Sequence, residues 1–260
     1  MYKILKYSFY DLIRSRWSFI YLLFYLLLGI VLLFLNSNLS NAIVTLLNVI
    51  TVLVPLIGTI FGVMYYYDSK EFTELLLAQP IKRSNIFLGQ YFGVAISLSI
   101  SLIIGLGLPF MYYGLFVSDK IFEFLTLIIV GTFLTFIFTA ISFFIAISFE
   151  NKIKGFGVAI LVWLLLAVIY DGIFLIFLVY FEQYPLDMFS LGAIMSNPID
   201  LARTLMLLKL DISALLGYTG AVFKKFFGTN YGVILSYLVL IFWTIIPILG
   251  ILWKSNKKDF

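Results

Sequence analysis

Residues 17–35 read WSFIYLLFYLLLGIVLLFL, a run without a single charged side chain. A helix needs about 20 predominantly apolar residues to cross the hydrocarbon core of a bilayer, and this run meets that need. Further stretches of this kind lie at 42–67, 86–117, 121–149, 155–181 and 231–253. The sequence therefore predicts an all-α polytopic membrane protein, with six transmembrane helices in one domain that covers residues 1–260.

The amino-acid composition is also typical of a protein that is surrounded by lipid. The chain is 63% hydrophobic and 12% charged, whereas soluble domains are about 45–50% apolar and about 25% charged. It contains no Cys and no His, which excludes disulfides, zinc fingers, Cys nucleophiles and His general bases. The sequence has no stripe of basic residues of the kind that nucleic-acid binding requires. The phosphate-binding motif GxxxxGK[S/T] is absent, so we expect no ATP or other cofactor in this chain and no enzymatic activity of its own.

The cations predict the orientation. Of the 17 Lys and Arg residues, 12 fall in the two termini and in the loops on the same side as the termini. Since such residues accumulate on the cytoplasmic side, both termini are predicted to be cytoplasmic. The apolar run after Arg16 is too long for a signal peptide, so we expect the first helix to be retained in a multi-pass protein of the cytoplasmic membrane.

Residues 1–16 place Met1, Leu5, Phe9, Leu12 and Ile13 on one helical face and cations on another. This pattern predicts an amphipathic helix that lies in the membrane interface. The alternative is a simple positively charged flank of the first span.

The loop at 68–85 predicts a short cytoplasmic helix. Asp68 or Ser69 can cap its start, Glu71 and Glu74 lie on one face, and Pro80 ends it. A short charged helix of this kind is suited to docking into a groove of a cytoplasmic partner. An interfacial turn is the alternative.

The segment at 182–230 is the longest piece predicted to lie outside the spans. Asn197 is a predicted N-cap with Pro198 in the first turn, and Asp200 favours the helix dipole. Leu201, Leu205 and Leu208 form an apolar stripe, so we expect this helix to lie along the outer membrane surface or on a protein core of its own. It is a predicted docking surface for an external partner.

Among the acidic and basic residues, only Asp171 is placed within the hydrocarbon. Burial of such a group is costly, so it is a functional candidate. Its place toward the outer end of the fifth span leaves open that it simply reaches the headgroups.

Residues 71–83, EFTELLLAQPIKR, are followed by 89–93, GQYFG, in which two glycines four apart allow a close helix–helix approach. Together with the amphipathic N-terminus and the six spans, they resemble the ABC-2 class of ABC-transporter permeases. The resemblance implies that the short helix couples the permease to a separate ATPase subunit, which binds ATP and Mg. The implied coupling residues are Glu71, Glu74, Leu75, Leu76, Gln79, Pro80 and Arg83.

Residues 197–203, NPIDLAR, and 208–223, LKLDISALLGYTGAVF, resemble the permease subunit of nitrous-oxide-reductase maturation transporters (NosY type). This resemblance implies a homodimer, cytoplasmic ABC ATPase subunits and a periplasmic β-helical maturation protein. The residues implied to bind the periplasmic partner are Asn197, Pro198, Asp200, Arg203, Asp211 and Tyr218.

The expected function is therefore to couple ATP hydrolysis to maturation of the reductase's copper centre. Because the chain offers no His or Cys ligands for copper, we expect it to transmit motion rather than to conduct bare copper. Export of another substrate, such as a lipid, drug, peptide or small sulfur species, is the alternative. A scaffold or intramembrane enzyme outside the ABC class is a third interpretation.

Overall fold

The computed structural model describes residues 1–36, 38–181, 183–184, 186–210 and 230–257, and every regular element in these ranges is helical. In chain order the α-helices are α1 (Tyr2–Arg14), α2 (Arg16–Leu35), α3 (Leu39–Asp68), α4 (Lys70–Leu77), α5 (Arg83–Tyr112), α6 (Ile121–Ser148), α7 (Lys152–Leu164), α8 (Tyr170–Tyr180), α9 (Asp187–Met195), α10 (Pro198–Lys209) and α11 (Asn230–Lys257). A 3₁₀ turn occupies Leu115–Val117, and a π-helical turn, Leu165–Ile169, joins α7 to α8.

In the described part of the chain, six helices are long and apolar enough to cross a membrane. They are α2, α3, α5, α6, α11 and the continuous helix Lys152–Tyr180, called here the composite span because it contains α7, the π-helical turn and α8. The predicted all-α polytopic architecture with six spans is confirmed.

The connection between the third and fourth spans is longer than predicted. The third span ends at Tyr112 instead of residue 117, and Gly114 adopts a left-handed backbone with φ of 95°. Glycine takes this conformation without steric cost, so the chain turns there into the 3₁₀ segment. Glu123 lies in the first turn of α6 and its carboxylate pairs with Lys120 Nζ at 2.7 Å, so Asp171 is not the only ionisable residue in the spans.

The core of the bundle lies between α3, α5 and α6. The backbones of α3 and α6 approach closely at Gly58 and Gly62, where an added Cβ would meet Thr139 Oγ1 at 3.3 Å and would overlap Ser142. Small residues permit such close backbone approach in membranes, where dispersion contacts replace the hydrophobic effect as the force between helices. This contact holds the second and fourth spans together.

The helix α1 lies on α5. Its buried side chains are Ile4, Ser8 and Leu12. Of the apolar face predicted from the sequence, Leu12 is buried but Met1 and Ile13 remain exposed. The membrane-interface position of this helix stays a prediction.

The composite span lies at the edge of the bundle, where it contacts α3 and α6. Its buried side chains are few, and α8 has none. It is attached to the rest of the chain by side chains that are only partly buried, among them Phe174 against the core and Phe177, whose ring stacks on Phe189.

The helices α9 and α10 form a hairpin that enters the bundle, named here the inserted hairpin. At its turn, Met195 O accepts a hydrogen bond of 3.1 Å from Trp243 Nε1, and Asn197 Nδ2 donates one of 2.8 Å to Leu166 O. Trp243 and Leu166 lie near the middle of α11 and of the composite span, so the turn reaches the middle of the bundle. The sequence led us to expect α10 on the outer surface or on a core of its own, but Leu201 and Leu205 are buried in the core of the bundle.

Candidate functional site

The short helix α4 is held to the third span by a buried hydrogen bond. Gln90 Nε2 in α5 donates to Thr73 Oγ1 at 2.8 Å, and neither residue is exposed. Thr73 Oγ1 in turn donates to the Ser69 carbonyl at 2.8 Å. A hydrogen bond away from water is costly to break, since each freed group loses its partner without regaining solvent. This hydrogen bond therefore attaches α4 directly to α5.

The helix α1 is attached to the same part of α5. A Cβ added at Gly93 would lie 2.6 Å from Ser8 Cβ, and one added at Gly89 would lie 2.9 Å from Ile4 Cγ2. The two glycines of the GQYFG motif therefore bring α1, rather than another span, into close contact with α5. The stacked rings of Tyr7 and Phe72, with centroids 4.6 Å apart, join α1 to α4 as well.

The capping predicted for α4 differs from the structure. Neither Asp68 nor Ser69 caps it with a side chain, because Asp68 belongs to α3 and Ser69 Oγ donates back to the Tyr65 carbonyl at 2.6 Å. The helix ends at Leu77, just before Pro80, as predicted.

Most of the predicted coupling residues are exposed. Leu76 is half-buried, and the exposed ones are Glu71, Glu74, Leu75, Gln79, Pro80 and Arg83. Leu75 is 68% exposed, which leaves a large apolar side chain among charged neighbours. Lys70 Nζ and Glu74 Oε1 lie 3.8 Å apart on the surface, where such a pair adds little stability. Contact of these residues with an ATPase subunit stays a prediction.

The loop between the fourth and fifth spans lies at the same end of the bundle as α4. Lys152 Nζ pairs with Asp68 Oδ1 at 2.7 Å, and Tyr67 Oη donates to the Phe149 carbonyl at 2.9 Å. The end of α3 is therefore fixed to the start of the composite span.

At the opposite end, Asp171 is paired. Arg203 Nη1 donates to Asp171 Oδ2 at 2.7 Å, and the side chains are 27% and 30% exposed, respectively. This ion pair joins α8 to α10. Since a charge within a membrane is tolerated when it is paired, Arg203 explains how Asp171 is accommodated.

Asn197 connects the inserted hairpin to the composite span. Its Oδ1 caps α10 by accepting from Ile199 N at 3.1 Å, as the sequence predicted, while its Nδ2 donates to Leu166 O and to Asp200 Oδ2 at 2.8 and 2.9 Å. Leu166 belongs to the π-helical turn, a geometry that alters the regular hydrogen bonding of an α-helix. One buried amide thus caps α10 and bonds to the π-helical turn.

Burial raises the pKa of Asp200 to about 8, and the neighbouring Asp171 carboxylate contributes in the same direction. Arg203, whose Nη1 lies 3.8 Å from Asp200 Oδ1, and the hydrogen bond from Asn197 oppose this rise. Because desolvation is the largest cause, Asp200 holds its proton at neutral pH. Arg203 then pairs chiefly with Asp171.

The predicted partner-binding residues fall into three groups. Asn197, Pro198 and Asp200 are buried at the start of α10, and Arg203 is half-buried. Asp211 and Tyr218 lie outside the described residues. Contact with an external partner stays a prediction for all six, and burial means that Asn197 and Pro198 would have to move to make it.

Sequence reasoning missed several residues of these networks. Gln90, Tyr67 and the hydroxyl of Tyr170, which donates to the Ala193 carbonyl at 2.7 Å, were not singled out. A lone amide at Gln90 inside an apolar run was the signal that could have identified the first. Among the described residues, no group of three or more Asp or Glu side chains could hold a metal ion.

No protein-family model matches the chain. The chain is 25% identical over 209 residues to the probable ABC transporter permease protein NosY of Stutzerimonas stutzeri, and the match covers 74% of this chain and 76% of that protein. The six spans and this match agree on the class of protein, so the chain is similar to an ABC transporter permease and is a multi-pass membrane protein.

Proposed function

We propose that this chain is the membrane subunit of an ABC transporter that passes the motion of a cytoplasmic ATPase through the bilayer to the opposite face. The observation that carries this proposal is the way α4 is built. Its exposed charged and apolar surface is available to a partner, while its buried side is bonded through Thr73 to Gln90 of a span. In this proposal a force applied to α4 reaches the bundle through this hydrogen bond.

The inserted hairpin supports the other half of this proposal. Asn197 bonds to the π-helical turn and Arg203 to α8, so a shift of the composite span moves α9 and α10 with it. In this proposal two copies of the chain form the transporter, with ATPase subunits at the α4 end and both termini in the cytoplasm. A periplasmic β-helical protein would receive the motion outside the inner membrane.

The specific role that we propose is maturation of the copper centre of nitrous oxide reductase. The match to a protein named NosY supports it, as do the residues at 197–203 and 208–223. The absence of His and Cys from the whole chain favours transmission of motion over conduction of bare copper. Export of a lipid, drug, peptide or small sulfur species is the second candidate function.

A deletion strain tests the proposal. Without this chain, we expect nitrous oxide reductase to be made but to lack the absorption and copper content of its catalytic centre, and the wild-type chain supplied from a plasmid should restore both. If the reductase matures without the chain, the specific role is wrong, although a permease role for another substrate would survive.

Substitutions in α4 and just after it then test coupling. Glu74→Ala and Arg83→Ala should insert into the membrane and leave ATP hydrolysis measurable, yet lower maturation by ten-fold or more, a change of about 1.4 kcal/mol in coupling free energy. Asp119→Asn, an exposed change at the opposite end, is the matched control and should mature the reductase normally. Normal maturation by both α4-region variants would refute the coupling role.

A further inference from the structure

A cavity of about 290 Å³ lies at the α4 end of the bundle, between α1, the start of α2, the end of α3 and α4. It is separate from the exposed surface of α4 described above. Its wall is largely aromatic, formed by Tyr7, Trp17, Phe61, Tyr65 and Phe72. The stacked pair of Tyr7 and Phe72 connects α1 to α4 along one side.

The charge in this cavity is negative. Asp11 and Asp68 line it, and none of the described lining residues is Lys or Arg. Asp68 pairs with Lys152, but Asp11 forms no ion pair with any Lys or Arg in the described part of the chain. The hydroxyl oxygen of Tyr65 is buried and lies beside the side chains of Ser8 and Asp11.

The aromatic and acidic lining of this cavity favours one class of ligand, an organic cation. Aromatic faces attract cations through the ring quadrupole, and an uncompensated carboxylate adds Coulomb attraction. An anion such as phosphate would be repelled. A hard metal ion fits less well, since Ca²⁺ and Mg²⁺ are held by about six oxygen ligands and much of this wall is aromatic carbon. An alkylammonium group fits, because its N–H donors reach the carboxylates while its methylenes contact the rings.

The position of the cavity indicates where such a group would come from. It lies where α2 begins and α3 ends, which is the boundary between the spans and the water. Lipid headgroups occupy this level of a bilayer. We propose that the cavity is a binding site for an organic ammonium group, carried either by an ethanolamine lipid or by a free amine.

Occupancy would affect both α1 and α4. Asp11 and Tyr7 lie on α1, whereas Phe72 lies on α4 and Asp68 at the end of α3. A bound ammonium group therefore bridges the elements around α4, and its binding should make α4 more rigid. The site stands on its own lining and does not depend on which substrate the transporter serves.

Native mass spectrometry of the purified full-length chain tests the site. Phosphatidylethanolamine or phosphatidylglycerol is added to the chain in detergent, and the detergent is removed in the spectrometer. The apparent Kd of each lipid is then measured from the bound fraction. We expect preferential retention of phosphatidylethanolamine. Asp11→Asn should weaken that binding roughly five-fold and leave phosphatidylglycerol binding unchanged, as expected for the loss of one carboxylate charge beside a bound cation.

A second pair of variants distinguishes loss of the binding site from loss of the fold. Asp68→Asn should also weaken binding, whereas Lys152→Met should tighten it because Asp68 loses its competing cation. A gain of affinity cannot arise from unfolding. Asp119→Asn removes the same charge from the opposite end and is the matched control.

Ethylammonium chloride distinguishes the two sources. If it displaces phosphatidylethanolamine, free amines enter the cavity; if it does not, the site takes the lipid, and both results support the proposal. Equal binding of the two lipids, or unchanged ethanolamine-lipid binding in Asp11→Asn and Asp68→Asn, would overturn it. No ATPase or reductase enters this measurement, so its failure leaves the proposed function intact.

Discussion

Asp200 and Asp171 are neighbouring carboxylates that lie in different surroundings. Asp171 is 30% exposed, and its Oδ2 accepts a hydrogen bond of 2.7 Å from Arg203 Nη1. Asp200 is nearly buried, and its Oδ1 has no hydrogen-bond partner among the described atoms. Ionisation of Asp200 would place a negative charge in a buried position next to the Asp171 carboxylate, which is unfavourable.

The raised pKa of Asp200 predicts a pH dependence of stability. Because the folded state binds this proton more tightly than the unfolded state does, the stabilisation is complete below the ordinary pKa of 3.8. It is lost as the pH rises toward about 8. In Asp200→Asn the side chain is neutral at every pH. The midpoint temperature of thermal unfolding in detergent, measured between pH 5 and 9, should therefore fall less steeply with pH for Asp200→Asn than for the wild type.

Asp119→Asn, an exposed carboxylate at a loop, is the control for this experiment and should keep the wild-type slope. An identical slope for Asp200→Asn and the wild type would show that Asp200 is ionised throughout this range.

At the scale of elements, two close contacts determine how α1 and the inserted hairpin are attached. The first is the packing of α1 on the glycines of α5. Ile4 and Ser8 lie over Gly89 and Gly93, and together with Leu12 they are the buried side chains of α1. The absence of side chains at the two glycines permits this close approach.

Gly93→Ala tests this contact. The new Cβ would lie 2.6 Å from Ser8 Cβ and 3.1 Å from Phe9 N, so α1 must shift. We expect a loss of about 1–3 kcal/mol in the free energy of unfolding, typical of an overpacked site. Denaturant unfolding measures the change. Gly157→Ala, at a helical position where a Cβ meets nothing within 4 Å, should be neutral or slightly stabilising.

The second contact is the double role of Asn197. Asn197→Ser keeps an oxygen that can cap α10 but removes the amide that donates to Leu166 O. We expect the loss of about 1 kcal/mol, together with faster amide exchange in the π-helical turn while α10 stays protected. Hydrogen–deuterium exchange with mass spectrometry measures the two segments separately.

Asn151→Ser is the matched variant, because Asn151 caps α7 by accepting from Ile153 N at 2.9 Å and is exposed. It should leave exchange in the π-helical turn unchanged. If Asn197→Ser leaves that exchange unchanged too, the amide of Asn197 does not stabilise the turn.

At the scale of the whole molecule, the bundle has two differently attached ends. One end carries α1, α4 and the Asp68–Lys152 pair, and the other receives the inserted hairpin. The spans between them are joined most closely at α3 and α6. This arrangement gives the fold a continuous connection from one membrane face to the middle of the bundle.

The orientation in the membrane is directly testable, because the chain has no Cys and each introduced thiol is unique. With both termini in the cytoplasm, Asp119→Cys should react with a membrane-impermeant maleimide in intact cells. Lys82→Cys, just before α5, should react only after permeabilisation. Both positions are exposed on the protein surface, so the two introduced thiols are equally accessible to the maleimide apart from the membrane barrier. The reverse labelling pattern would invert the predicted topology.

The sequence alone determined the number of spans and their approximate ends, because lipid leaves helices as the main way to satisfy backbone groups in a long apolar segment. It also identified α4, the cap at Asn197 and the close-packing glycines of α5, since capping and small-residue spacing are local signals. It predicted neither the partner of those glycines nor the pairing of Asp171, which depend on residues far away in the chain.

Only the tertiary structure decided that α10 enters the bundle and that one amide joins it to a π-helical turn. An apolar stripe such as Leu201 and Leu205 buries equally well against lipid or protein, so hydrophobicity could not distinguish the two environments. Hydrogen bonds from Asn197 and Trp243 to carbonyls near the middle of two spans distinguish them, because these donors bond to groups inside the bundle.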